Sequence, residues 1–103
     1  MAVEVDAPDV PALRQFGDRL REKLDYGVGL LCQNKTDKPI MLILVTDNVI
    51  KDRAVKANEL AARIGESFSL RGGGKPHLSQ IGLGSKQDFK KIQKFLRKIL
   101  GEG

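Results

Sequence analysis

Three consecutive glycines, Gly72-Gly73-Gly74, stand between Arg71 and Lys75 and are the feature of the sequence with the most chemical content. Glycine loses more backbone entropy on folding than any other residue, so a triple run inside an ordered domain needs a reason. One glycine suffices to close a helix in a left-handed cap. Three of them between two cations suggest a loop whose backbone something approaches closely, with amide N–H groups and positive charge presented together. Phosphate and sugar groups suit such a site. Downstream, Gln80 both donates and accepts, so it can bond a base edge, a ribose or a phosphodiester backbone. His77 reads equally as a surface histidine or as a ligand contact.

Several other chemistries are excluded. Lys75 follows the glycines, but Pro76 replaces the Ser or Thr of a P-loop and the leading glycine is missing; a dinucleotide fingerprint would have to open a helix directly after a strand. The chain has one Cys and one His, too few for a structural zinc site. Cys32 lies in the apolar run Val28-Gly29-Leu30-Leu31-Cys32, where a buried, inert thiol is expected, and no intrachain disulfide can form. The five aromatic side chains, Phe16, Tyr26, Phe68, Phe89 and Phe95, are scattered, so a platform that stacks single-stranded bases is not indicated. No opening apolar stretch resembles a signal peptide and no run approaches a membrane span, so a soluble, cytoplasmic protein with no membrane partner is expected.

Charge narrows the partners. The net charge is +5, and it is unevenly placed: residues 1–34 hold four Lys/Arg against six Asp/Glu, residues 35–103 fourteen against seven. A polyanion is the natural partner of the second part, with a solvated, solubilising surface as the alternative.

The elements that must carry these residues follow from periodicity. Met1 to Asp6 alternates apolar and acidic residues, as an extended segment would. Asp9 ahead of Val10-Pro11 predicts a helix start, with Leu13, Phe16, Leu20 and Leu24 on one face. Val28–Gln33 reads as a strand, Asn34–Pro39 as a polar turn, and Ile40–Val45, apolar without alternation, as a second strand covered on both faces. These two form an antiparallel hairpin. Thr46–Arg53 reads as a charged connection, followed by a helix from about Ala54 to Glu66 with a small-residue stripe of Ala54, Ala57, Ala61 and Ile64. Lys75–Gly84 reads as a strand. The last helix, from about Ser85 to Leu100, carries Phe89, Ile92, Leu96 and Ile99 on one face and Lys86, Lys90, Lys91, Lys94, Arg97 and Lys98 on others; Ser85 and Asp88 suggest a capping box. A solvated lysine face is the default for those cations. Gly101-Glu102-Gly103 reads as a frayed tail. The expected fold is a single α/β domain over residues 1–103, a two-layer sandwich with a small mixed sheet of about four to five strands packed against three helices.

Segments spanning about Asp6 to Leu100 resemble, in order, the DHH-associated domain found at the C-terminus of alanyl-tRNA synthetases and in DHH-type phosphoesterases. They are "DVPALRQFGDRLREKL", "IMLILVTDNVI", "AVKANELAARIGESF" and "RGGGKPHLSQIGLG". The most specific part is Lys56-Ala57-x-Glu59-Leu60 followed by Gly72-Gly73-Gly74-Lys75-Pro76-x-x-x-Gln80. In the phosphoesterase branch three glycines run directly into His, whereas Lys75-Pro76 stands here, so the resemblance is to the synthetase branch. The chain departs from the pattern at Asn58, where Gly is usual, at Ser79 and Ile81, where Ala is usual, and at Leu83, which separates Gly82 and Gly84.

The resemblance implies a tRNA-binding module that engages the outer corner of the alanine-acceptor tRNA and helps present it for aminoacylation and editing. It implies no catalytic centre and no cofactor in these residues, with ATP, Mg and Zn belonging to upstream domains of the synthetase, and in some members a homodimer. Its RNA contacts would come from Lys56, Asn58, Arg71, Gly72, Gly73, Gly74, Lys75, His77, Ser79 and Gln80. Two other readings stand beside it: the substrate-binding half of a DHH-type phosphoesterase, and a dimerisation module in which the apolar stripe of the last helix faces a partner.

Overall fold

Ile40–Val45 is the most apolar stretch of the chain, and all but its first residue are buried. A strand with no polar face must be covered from both sides, and the rest of the fold answers that demand. The computed structural model describes residues 2–101; Met1, Glu102 and Gly103, and with them the ends of the predicted extended segment and tail, lie outside the described residues. In chain order the elements are β1 (Ala2–Val5), α1 (Val10–Lys23), β2 (Val28–Gln33), β3 (Ile40–Val45), α2 (Asp47–Arg53), α3 (Ala57–Phe68), β4 (Gly72–Gly74), β5 (Leu78–Gly82) and α4 (Asp88–Ile99).

The five strands form one sheet in the order β1-β2-β3-β5-β4. β1 runs parallel to β2, and the remaining neighbours are antiparallel, so the sheet is mixed as expected. Register assigns the faces. Leu31 pairs with Leu42, and both pack with Leu13 of α1. Leu30 pairs with Ile43; together with Cys32, Met41 and Val45 they meet Ala57, Leu60, Ala61 and Ile64 of α3 and Phe89, Ile92 and Leu96 of α4. Helices therefore cover both faces, which makes three layers where two were expected. α1 lies close because residue 17 is Gly: a Cβ there would stand 3.1 Å from Leu42 Cδ1.

Four local expectations are corrected. The segment read as a charged connection contains α2, which begins after Thr46 and ends with Ala54 in the left-handed conformation at φ 54°. Ala54 is thus the end of one helix and not the start of the next, and α3 runs Ala57–Phe68. The glycine run is a strand and not a loop, and the strand after it is shorter than Lys75–Gly84. The last helix starts at Asp88 and not at about Ser85, with Gln87 as its N-cap and no side-chain cap bond, so the expected capping box is not formed. Asp88 instead closes the preceding turn by accepting the N–H groups of Gly84 at 3.0 Å and Ser85 at 3.2 Å.

Other details hold as read. Asp9 caps α1, its carboxylate accepting the Ala12 N–H at 2.9 Å. The apolar stripe of α4 lies on the sheet, so it is not a free face for a partner. The polar turn before β3 is closed by Gln33, whose buried amide donates to Ala7 O and accepts from Ile40 N–H.

Candidate nucleic-acid interface

β4 and β5 form a tight hairpin with Pro76 and His77 at its tip. Lys75 and Leu78 exchange backbone bonds across the turn, at 2.8 and 3.3 Å. From there the register runs Gly74 opposite Ser79, Gly73 opposite Gln80 and Gly72 opposite Ile81. Backbone bonding alternates along an antiparallel pair, so Gly73 bonds to β5 while the N–H and C=O groups of Gly72 and Gly74 point off the open edge of the sheet.

Two of the three glycines are required by the fold. A Cβ on Gly72 would lie 2.6 Å from Gln80 O and 2.7 Å from Ile81 Cβ. One on Gly74 would lie 2.6 Å from Leu78 O, and its φ of 154° also disfavours a side chain. Close pairing with β5 therefore explains both. Nothing lies within 4 Å of the place where a Gly73 Cβ would stand. Internal packing leaves Gly73 unexplained.

The predicted contacts divide between the two faces of this edge. Residues alternate along a strand, so Gly73 shares the side of its partner Gln80, and Lys75, bonded across the turn to Leu78, shares the side of Leu78. Leu78 packs in the α1 cluster, which fixes this as the α1 face. Arg71 precedes β4 in the same alternation, at the edge where it also borders Ala61, Gly65 and Leu70 of the α3 side. Arg71 and Lys75, both exposed, stand about 13 Å apart at the two ends of β4. Arg14 of α1 reaches over the sheet and donates from Nη2 to Gln80 Oε1 at 3.3 Å. The result is a flat shelf: three cations, an oriented amide and an open glycine backbone. No carboxylate pairs with Arg14, Arg71 or Lys75 among the described residues.

Arg14 was absent from the sequence-derived site. Its exposed place on α1 among Asp18, Arg19 and Glu22 gives no local signal. Only the register of β5 brings it beside Gln80.

Lys56, Asn58 and Ser79 belong to the opposite face. Lys56 is the N-cap of α3, and the next amide, Ala57 N–H, donates to Pro76 O at 2.7 Å. Ser79 is buried, and its hydroxyl donates to Ala57 O at 2.8 Å. That bond ties helix to hairpin and leaves Ser79 no open group for a ligand. Asn58 Oδ1 is buried without a hydrogen-bond partner. His77 is half-buried at the tip, and its carbonyl accepts the Val45 N–H at 3.0 Å. Ile81 and Leu83, where the family pattern is broken, are both core residues.

On the α3 side the β4–β5 edge borders an open recess of about 500 Å³ lined by Ala61, Gly65, Leu70, Arg71 and Gly72. An open cleft of about 290 Å³ between α4 and the β1–β2 side is lined by Leu24, Tyr26, Val28, Leu30, Leu96 and Arg97. A flat cationic shelf at a sheet edge suits a charged polymer better than a small molecule, which needs a concavity.

The family model of the DHHA1 domain matches residues 2–102. The chain belongs to the DHHA1 domain family. Among curated relatives of this DHHA1 domain, the alanine–tRNA ligase of Chloroflexus aurantiacus is 34% identical over 82 residues, covering 80% of this chain and 9% of that protein. The ligase of Staphylococcus aureus is 29% identical over 97 residues, covering 94% and 11%. The DHHA1 domain thus spans about a tenth of the length of the curated relatives it matches. The C-Ala domain from Aquifex aeolicus alanyl-tRNA synthetase superposes with a TM-score of 0.80 at 26% identity, over 96% of this chain and 87% of that one. A DHH-domain member of the s1p family of ribosomal proteins shares the fold at TM-score 0.60 and 16% identity, over 96% of this chain and 25% of that one.

Proposed function

We propose that this DHHA1 domain is the tRNA-binding module of a cytoplasmic alanine–tRNA ligase and holds the sugar-phosphate backbone of tRNA against the β4–β5 edge. The observation that carries the reading is the shelf itself. Arg71 and Lys75 flank outward backbone amides, and Arg14 accompanies an oriented Gln80, with no carboxylate paired to any of the three cations among the described residues. Arg14 occupies Gln80 Oε1, so the amide nitrogen is left to donate, and a phosphate or ribose oxygen is the matching acceptor. Similarity to the C-Ala domain and to alanine–tRNA ligases supplies the class of nucleic acid. In this reading the module positions the alanine-acceptor tRNA for aminoacylation and editing by upstream domains, and ATP, Mg and Zn are used there.

Titration of labelled tRNA with the domain at two salt concentrations tests the proposal. Binding should weaken with salt, and R71A/K75A should lower affinity about tenfold or more and flatten the salt slope by about two. Wild-type binding and slope in that variant would sink the site. The DHH-phosphoesterase alternative is not favoured: the curated relatives named above are alanine–tRNA ligases, and the DHH-domain likeness extends to the fold alone.

A further inference from the structure

α4 carries a second, separate concentration of charge. At about 100° per residue, its buried side chains Phe89, Ile92 and Leu96 occupy one sector of the helix. Lys90, Lys91, Lys94, Arg97 and Lys98, all exposed, fill a continuous sector about 120° wide diametrically opposite. The one acid of the helix, Asp88, is outside that sector and is engaged by the Gly84 and Ser85 amides. None of the five cations is ion-paired among the described residues.

Solubility alone does not explain this pattern. Cations three and four residues apart repel, and Lys90, Lys94 and Lys98 sit at successive four-residue steps, with Lys91 and Arg97 three from Lys94. α1 of the same chain shows the ordinary solution, mixing Arg14, Arg19, Arg21 and Lys23 with Asp18 and Glu22. α4 instead concentrates one sign: Lys90 and Lys91 both repel Lys94, and only Arg97 and Lys98 lie in the last turn, where the helix dipole favours a cation.

We infer that the outer face of α4 is a second phosphodiester-backbone contact, distinct from the β4–β5 shelf. From Lys90 to Lys98 the stripe runs about 12 Å, a length over which a duplex presents about seven phosphate charges. The apolar side of α4 is buried in the core, so insertion into a bilayer is closed to it. With a phosphate-binding edge proposed on the same domain, the occupant is nucleic acid; adsorption to an anionic lipid surface by charge alone is the outcome that the vesicle measurement below separates. α4 packs on the α3 face of the sheet and the shelf lies on the α1 face. The smallest extent of the domain is 23 Å, so a short straight helix of RNA cannot touch both. The domain bridges two backbone segments.

The test uses the 103-residue chain and an RNA duplex of about twelve base pairs, roughly one helical turn, read by stoichiometry and salt dependence. The wild type should take two duplexes. K90Q/K94Q/K98Q should take one, with the α4 contribution to the slope of log K against log salt reduced by about 2–3. Its thermal midpoint should be close to that of the wild type, because relieved repulsion offsets the dipole interaction lost at Lys98, and measuring it separates a lost site from unfolding. R14A/R71A/K75A should also take one; if it alone keeps two, the shelf proposal fails while the α4 contact stands. The α4 inference is overturned if the glutamine variant keeps wild-type stoichiometry and slope. It is equally overturned if that variant loses only binding to phosphatidylserine–phosphatidylcholine vesicles while its duplex binding is intact.

Discussion

Gly72 and Gly73 are adjacent, chemically identical and opposite in what they tolerate. A methyl group on Gly72 collides with the Gln80 carbonyl and Ile81, whereas one on Gly73 meets open space. Gly72→Ala should therefore destabilise by about 2 kcal/mol or more, by strain and lost pairing. Gly73→Ala should leave stability unchanged or raise it by up to about 1 kcal/mol through the unfolded chain. Urea denaturation of both variants measures the difference, and equal losses would refute the assignment. If tRNA lies against this edge, Gly73→Ala should weaken tRNA binding without affecting the fold. Cys32 gives a second residue-scale prediction. Burial, and secondarily the nearby Glu4, push its thiol up from 9.0 to about 12. The folded protein then holds a proton that the unfolded chain releases above about pH 9. The stability linked to this group is complete below pH 9 and is lost as pH rises toward 12, by at most about 1.4 kcal/mol per pH unit. Cys32→Ala should remove that slope from a plot of unfolding free energy against pH.

Among the elements, α2 shows why part of the fold was not legible in the sequence. A helix end is usually announced by glycine, but Ala54 takes the left-handed cap at φ 54° and Ser69 does the same after α3 at φ 56°. With no glycine to stop it, the alanine-rich pattern reads as one helix beginning at Ala54. Ala54→Gly should accordingly stabilise by up to about 1 kcal/mol, and an unchanged or lower thermal midpoint would contradict the cap. β2 and β3, by contrast, were readable to the residue because apolar runs bounded by polar turns admit few boundaries. The glycine run was readable as special but not as a strand, since edge pairing is set by a partner and not by local propensity. For the same reason the candidate site was only half legible. Arg71, Lys75 and Gln80 are close in sequence, while Arg14 joins them through register alone.

At the scale of the whole molecule, β3 is the member on which both helical layers depend. Leu42 is fully buried beneath α1, beside the approach made possible by Gly17, and its strand neighbours Met41 and Ile43 support α3 and α4. Leu42→Ala should cost about 3–4 kcal/mol, lowering the thermal midpoint by well over 10 °C in a domain of this size. Melting followed by far-ultraviolet circular dichroism checks this, and a shift of only a few degrees would mean that the α1 layer is not integral to the core.

The strand order has a kinetic meaning as well. β5 inserts between β3 and β4, so Leu44 must find Leu78 across a segment that includes α2, α3 and β4. Closing that loop spends chain entropy before the central pairing returns any energy. α3 and the β4–β5 hairpin are local and can form within microseconds; the β3–β5 zipper cannot. Refolding should run on the millisecond scale or slower, and until it completes the bare apolar edge of β3 is where two chains would pair by mistake.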